Sequence, residues 1–211
     1  MEYKTEQEAF WSGDFGDDYS VRNTGADMLA SNTAFFARAL ARARGVERCI
    51  EFGANVGSNL MALKCLFPRQ IQHAIEINQS AADTLATQLP QATLHRLSIL
   101  DYAPEQVFDL VLIKGVLIHI NPEYLPQVYE KLVASCHRYL LVAEYYNSTP
   151  VEVSYRGHTG RLFKRDFCGE ILGAYPEMKL LDYGFVYRRD PLFPQDDLTW
   201  FLMEKVAAER R

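Results

Sequence analysis

Short apolar runs alternate with amphipathic stretches along most of the chain. After a polar opening, Asp27 to Arg44 places apolar residues at Met28, Leu29, Phe35, Phe36, Ala39 and Leu40, the spacing of an amphipathic helix. Cys49, Ile50 and Phe52 then read as a strand of a buried parallel sheet, and Gly53 to Gly57 as the turn after it. Beyond it, "GSNLMALKCLF" predicts a helix, "IQHAIEI" a strand, "SAADTLATQL" a helix, and "ATLHRLSIL" and "FDLVLIKGV" two strands. The stretch "NPEYLPQVYEKLVASC" predicts a helix capped by Asn121, with Pro122 at its first position and Pro126 tolerated within the first turn. "RYLLVAEYY" is a fifth strand. The last third holds a basic loop, a short helix "RDFCGEILGAY" and two strands, "KLLDYGFVYR" and "LTWFLMEKV". Their connection, "RDPLFPQDD", is too short for a parallel crossover, so the sheet should end in an antiparallel pair. The expected fold is α/β: an open, doubly wound, mostly parallel seven-stranded sheet with a terminal antiparallel hairpin.

Composition narrows the class. With 211 residues, 48% of them hydrophobic, the chain suits one globular domain with a sizeable core. No apolar run approaches the roughly 20 residues of a membrane span, and "MEYKTEQEAFW" is acidic and polar, unlike a signal peptide, so a cytoplasmic location without membrane association is expected. Cys49, Cys65, Cys136 and Cys168 lie far apart with no C-x-x-C; they are expected to be buried thiols, with neither a metal site nor a disulfide framework. A formal charge of −5 argues against general nucleic-acid binding.

The glycine turn is where chemistry enters. Glycine allows close backbone approach to a ligand, and the following helix offers free N–H groups. Glu76, ending the second strand, lies 19 residues beyond Gly57, near the spacing of a carboxylate that accepts both hydroxyls of a ribose. Nicotinamide-dependent oxidoreductases share this logic. Against them, the third glycine of G-x-G-x-x-G is missing, and Pro176 interrupts the helix that the only Tyr-x-x-x-Lys, "YPEMK", would need. Glu51 also suits a cationic ligand and would repel a pyrophosphate.

Taken in order, "EFGANVGSN", "AIEIN" and "FDLVLIKGVLIHI" resemble the motifs of the class I S-adenosylmethionine methyltransferases. The resemblance implies S-adenosylmethionine as cofactor. It implies cofactor contacts from Glu51, Gly53, Ala54, Asn55 and Gly57, ribose contacts from Glu76 and Ile77, adenine contacts from Ser98 and Ile99, and contacts from Lys114 and Gly115. An acid is more common than Ser98 at that place. His119 falls where such enzymes line the methyl-transfer cavity, and it reads equally well as a packing histidine.

The acceptor must come from outside these motifs. After the fifth strand, Arg156 to Arg165 contains four cationic side chains and no acid. Tyr145, Tyr146, Asn147, Tyr155 and His158 lie near them. Arginines pair with carboxylate or phosphate, and aromatic rings cover sugar faces, so an anionic, hydroxylated small molecule is expected. Tyr145, Asn147, Tyr155, Arg156, Arg161 and Arg165 are the candidate substrate contacts. "AFWSGDFGDDYSVRN", "VLIHINPEYL", "YYNSTPVEVSYRGHTGRLFKRDF" and "DYGFVYRRDPLFPQDDLTWFLMEK" together resemble the pseudaminic acid biosynthesis-associated methylases. That resemblance implies bacterial nonulosonic acid metabolism. It also implies an N-terminal lid in which Trp11, Tyr19, Arg22 and Asn23 cover the cofactor, Arg22 meeting the methionine carboxylate. The expected layout is a helical lid over 1–45, a cofactor core over 46–145, and an acceptor loop with the terminal hairpin over 146–211. The reaction expected is O- or N-methylation of a nonulosonic-acid-type sugar, free or nucleotide-linked, without a metal. His158, His119 and Tyr146 are the candidate bases, in that order. The alternatives are an oxidoreductase and an inactive, cofactor-binding scaffold.

Overall fold

The computed structural model describes residues 3–22 and 25–206. In chain order the elements are α1 (Glu6–Ser12), α2 (Asp14–Arg22), α3 (Ala26–Ala39), β1 (Arg48–Phe52), α4 (Ser58–Leu66), β2 (Ile71–Ile75), α5 (Gln79–Gln88), β3 (Thr93–His95) and β4 (Phe108–Lys114). They continue with α6 (Leu125–Ser135), β5 (Cys136–Glu144), β6 (Val151–Glu152), β7 (Phe163–Lys164), α7 (Phe167–Ala174), β8 (Met178–Val186) and β9 (Leu198–Lys205). Seven strands form one sheet in the order β3-β2-β1-β4-β5-β9-β8. The first five run parallel, and β9 is antiparallel to both β5 and β8. The expected architecture is therefore present, terminal hairpin included.

The central strands read as continuous apolar runs because both faces of the sheet are covered. Alternation along β1 sends Ile50 and Phe52 to the face packed by α6 and α7, with Leu132, Phe167 and Ile171. It sends Cys49 to the other face, with Phe36 of α3, Leu60 of α4 and Leu85 of α5. These core side chains are essentially inaccessible, so truncating a leucine such as Leu60 to alanine falls in the class that costs about 2–5 kcal/mol.

Several elements differ from the sequence expectation. The polar opening folds into α1 and α2. Thr5 and Glu8 close a reciprocal cap, with Glu8 N–H donating to Thr5 Oγ1 at 3.1 Å and Thr5 N–H to Glu8 Oε2 at 2.9 Å. The strand expected over 92–100 stops at His95, because the Ser98 carbonyl accepts the N–H groups of Asp101 and Tyr102 and closes a turn. Asn121 caps a short 3-10 turn at Pro122–Tyr124, and α6 begins after it. The basic loop contains the β6–β7 pair and, at its tip, a two-residue turn in which Arg156 and Gly157 both have positive φ (50° and 86°). Tyr155 and His158 exchange backbone hydrogen bonds across it, as hairpin turns with right-handed twist require. Among the cysteines, Cys65 is exposed on α4 and the other three are buried. No helix among the described residues is long and apolar enough to cross a membrane.

Candidate active site

A cavity of about 780 Å³ opens at the carboxyl ends of the parallel strands. It lies at the switch point between β1 and β4, where open α/β sheets bind ligands. Its volume lies within the roughly 300–1,000 Å³ of small-molecule pockets. The segments after β1, β2, β3, β4 and β5 contribute to its wall, as do α1, α2, α3 and the β8–β9 connection.

The turn after β1 forms the floor. Gly53 has φ +76°, and a Cβ there would stand 2.7 Å from Val116 Cγ2, so only glycine fits. Asn55 also has positive φ (49°), a conformation tolerated because its side chain accepts the Val56 N–H at 2.7 Å. Glu76, at the tip of β2, is bound to this turn. Its Oε2 accepts the Asn55 N–H at 2.7 Å and its Oε1 the Asn78 N–H at 2.7 Å. Burial raises the pKa of Glu76, and these backbone donors oppose the shift. The carboxylate stands in the cavity wall, where it can accept from a ligand hydroxyl.

Ala54, Ile77, Ser98, Ile99, Lys114 and Gly115 line the cavity, as do Trp11 and Tyr19. Gly57 lies beneath it as the left-handed N-cap of α4. Glu51 departs from expectation: it is fully buried and absent from the wall, where its partner Asn59 stands instead. Asn59 Nδ2 donates to Glu51 Oε1 at 2.6 Å, and Oε2 has no partner among the described residues. Burial pushes the Glu51 carboxyl up to about 8. Glu144 is also buried, its Oε1 accepting the N–H groups of Val116 and Leu117 at 3.0 and 2.9 Å, and burial raises it to about 7. Between them Lys114 projects to the wall, 5.6 Å over the Phe35 ring, with its Nζ 3.4 Å from Asn32 Oδ1. Burial lowers its pKa, while Glu51, Asp196 and Glu144 counter that.

Of the three candidate bases, only His119 reaches the cavity. It also packs, with ring centroids 4.6 Å from Trp11 and 5.0 Å from Tyr155. Its Nδ1 lies 2.6 Å from the Arg161 carbonyl. A carbonyl only accepts, so Nδ1 carries the proton and the neutral ring keeps a lone pair on Nε2. Burial lowers its pKa to about 4. His158 is exposed on the hairpin tip against Phe10, at 5.1 Å, and Tyr146 is exposed beside Phe201, at 6.1 Å. Neither is in the wall.

The acceptor residues divide in the same way. Tyr145, Tyr155 and Arg156 line the cavity, with the Arg156 guanidinium 5.7 Å from the Tyr155 ring centroid. Arg161 pairs instead with Glu6 at 3.2 Å, and Arg165 with Glu170 at 2.5 Å. Tyr129 also donates to Glu170, which ties Arg165 into the packing of α6 on α7. Asn147 donates to the Thr149 carbonyl within its own loop. The side chain of Arg22, and Asn23 with it, lie outside the described residues. Sequence reasoning did not find Glu8, Asn32, Asn78, Arg188 or Asp196 in the wall. For Glu8 a signal existed, the Thr-x-x-Glu spacing of a helix cap. The β8–β9 residues carried none, because only folding brings that connection beside Tyr145.

No protein-family model matches the chain, and no curated protein matches it in sequence. Solved structures do match. The chain is similar to magnesium protoporphyrin IX methyltransferase from Synechocystis, crystallised with bound SAM, at TM-score 0.68 and 14% identity over 97% of this chain and 100% of that one. It is similar to the 1,6-didemethyltoxoflavin-N1-methyltransferase of Burkholderia thailandensis, crystallised with its substrate and S-adenosylhomocysteine, at TM-score 0.70 and 14% identity over 95% and 87%. A third, the plantazolicin methyltransferase in complex with a desmethyl analogue and SAH, gives TM-score 0.67 and 12% identity over 95% of each chain. The chain has the Rossmann-like fold of these methyltransferases.

Proposed function

We propose that the chain is a cytoplasmic S-adenosylmethionine-dependent methyltransferase. Its acceptor in this reading is an oxygen or nitrogen of a nonulosonic-acid-type sugar, free or nucleotide-linked. The cofactor half is carried by one observation: the Glu76 carboxylate stands in the cavity wall as an acceptor for a ribose diol, aimed by the backbone N–H of Asn55 in the glycine turn and by that of Asn78 beyond β2. The chemistry of the wall fits the rest of the cofactor. Ile77, Leu97 and Ile99 offer an apolar slot toward β3, and Asn59 and Lys114 offer polar partners for the amino-acid end.

When bound, the cofactor supplies a methyl group already activated on a sulfonium. The chain's task is then alignment for in-line displacement and exclusion of water. Trp11 and Tyr19 bring the N-terminal helices over the cavity and serve as a lid. His119 presents an unprotonated Nε2, which accepts a hydrogen bond from an incoming hydroxyl and orients it. With a pKa of about 4 it is a weak base, so this orienting role outweighs proton removal.

The acceptor half rests on the resemblance and on the residues around the mouth. Tyr145 and Tyr155 offer faces to a sugar ring, and Arg156 and Arg188 offer guanidinium groups to a carboxylate or phosphate. Arg161 and Arg165 are engaged elsewhere, and Arg188, though in the wall, pairs with Asp197 at 3.5 Å, so the anionic reading now depends chiefly on Arg156 and Lys114. Incubation with methyl-labelled S-adenosylmethionine and a panel of free, phosphorylated and nucleotide-linked nonulosonic acids tests it. One added methyl group on one of them, seen by mass spectrometry, is expected. Failure across the panel overturns the acceptor, and tighter binding of NAD than of S-adenosylhomocysteine overturns the cofactor.

A further inference from the structure

Glu8 of α1 stands in the cavity wall, with 8% of its surface exposed, although it lies far from every motif of the cofactor turn. Its surroundings account for three of the roughly four lone-pair positions of a carboxylate. Oε2 accepts the Lys4 N–H at 2.6 Å and the Thr5 N–H at 2.9 Å. Oε1 accepts the hydroxyl of Ser98. That hydroxyl in turn accepts the Leu100 N–H at 3.0 Å, so its proton is directed at Glu8. One lone pair of Oε1 remains.

In the sheet β3 is the neighbour of β2, so a base attached to a ribose held by Glu76 has the β3 side of the cavity open to it. There Ile77, Leu97 and Ile99 wall the cavity, and Ser98 and Glu8 supply the polar edge. We propose that Glu8, reaching over from the N-terminal helix, selects adenine by accepting its exocyclic amine, while Ser98 positions the carboxylate. The inference rests on the cofactor reading above. It adds a residue that chooses the base. A 6-oxo purine would set a carbonyl oxygen against the carboxylate with no proton between them, and such a site rejects a ligand by repulsion as well as by a lost bond.

S-inosylhomocysteine differs from S-adenosylhomocysteine in this group, and calorimetry with both compounds tests the inference without an acceptor. The parent should prefer the adenosyl compound by about tenfold to a hundredfold, the range for a hydrogen bond to a charged group. Glu8→Gln keeps the helix cap when its amide oxygen accepts the Lys4 and Thr5 N–H groups, which turns its NH2, a donor, toward the purine. The preference for the adenosyl compound should then fall to within about threefold or reverse, converted at the same scale. Equal binding of both compounds by the parent overturns the inference whatever the variant does. So does a Glu8→Gln protein that loses affinity for both compounds equally, because Glu8 would then anchor α1 and nothing more. If the parent binds neither compound, the cofactor reading itself falls, and this inference with it.

Discussion

The carboxylate of Glu76 accepts the backbone N–H of Asn55 at 2.7 Å, so the tip of β2 holds the turn that follows β1. One side chain thereby shapes the floor of the cavity and, in the proposed function, presents acceptors to a ribose. Glu76→Ala should weaken S-adenosylhomocysteine by roughly ten- to hundredfold, from about 1.5–3 kcal/mol for lost bonds to a charged group. Calorimetry on a folded variant checks this, and unchanged affinity would remove Glu76 from the site.

Glu51 sets a pH dependence of stability. Its folded pKa, about 8, lies above the ordinary 4.5, so the native state binds the proton more tightly than the unfolded chain. This contribution is fully present below about pH 4.5 and is lost as pH rises through about 8. Glu51→Gln keeps the side-chain shape and has no proton to lose. Urea midpoints measured from about pH 5 to 9 should fall more steeply for the parent than for the variant. Parallel curves would show that Glu51 is ionised in the native state throughout.

The two arginines Arg156 and Arg165 should separate binding from stability. Arg156→Gln is expected to lower kcat/KM for the acceptor identified by labelling by about tenfold or more, as loss of a charge-assisted contact does. Arg165→Gln should leave that value near parental while costing up to about 1 kcal/mol of stability through Glu170, which is partly exposed. Steady-state kinetics beside thermal melts distinguish the two, and a reversed pattern would relocate the acceptor to the outer face of the hairpin.

Gly16 tests the seat of the N-terminal helices. A Cβ at this residue would lie 1.9 Å from the Trp11 carbonyl oxygen and 2.9 Å from Asn78 Nδ2. Gly16→Ala should therefore cost about 1–3 kcal/mol, as overpacking does, and should expose α1 and α2 to limited proteolysis. A variant with parental stability and resistance would mean that the helix junction relaxes freely.

The sheet was legible in the sequence because burial on both faces writes each central strand as an unbroken apolar run, as in "FDLVLIKGV". The glycine turn was legible because Gly53 has no substitute where Val116 comes so close. Other parts left no local signature. The capping box of Thr5 and Glu8 is a four-residue signal inside a polar stretch, and its burial depends on Ser98, ninety residues away. The basic run from Arg156 to Arg165 read as one surface, yet only Arg156 of its four cationic side chains lines the cavity. Arg161 meets Glu6 and Arg165 meets Glu170, partners that charge counting along the chain could not assign.

Glu8 and Trp11 are three residues apart on α1, a separation of about 4.5 Å along a helix axis. One faces Ser98, at what the proposed function takes as the nucleoside end of the cavity; the other touches His119, at its proposed acceptor end. A single helical turn therefore carries both contacts, and neither can shift without moving the other. If occupancy at one end biased the helix position that the other end needs, the coupling would be reciprocal: any factor by which one ligand tightened its companion would be returned in equal measure.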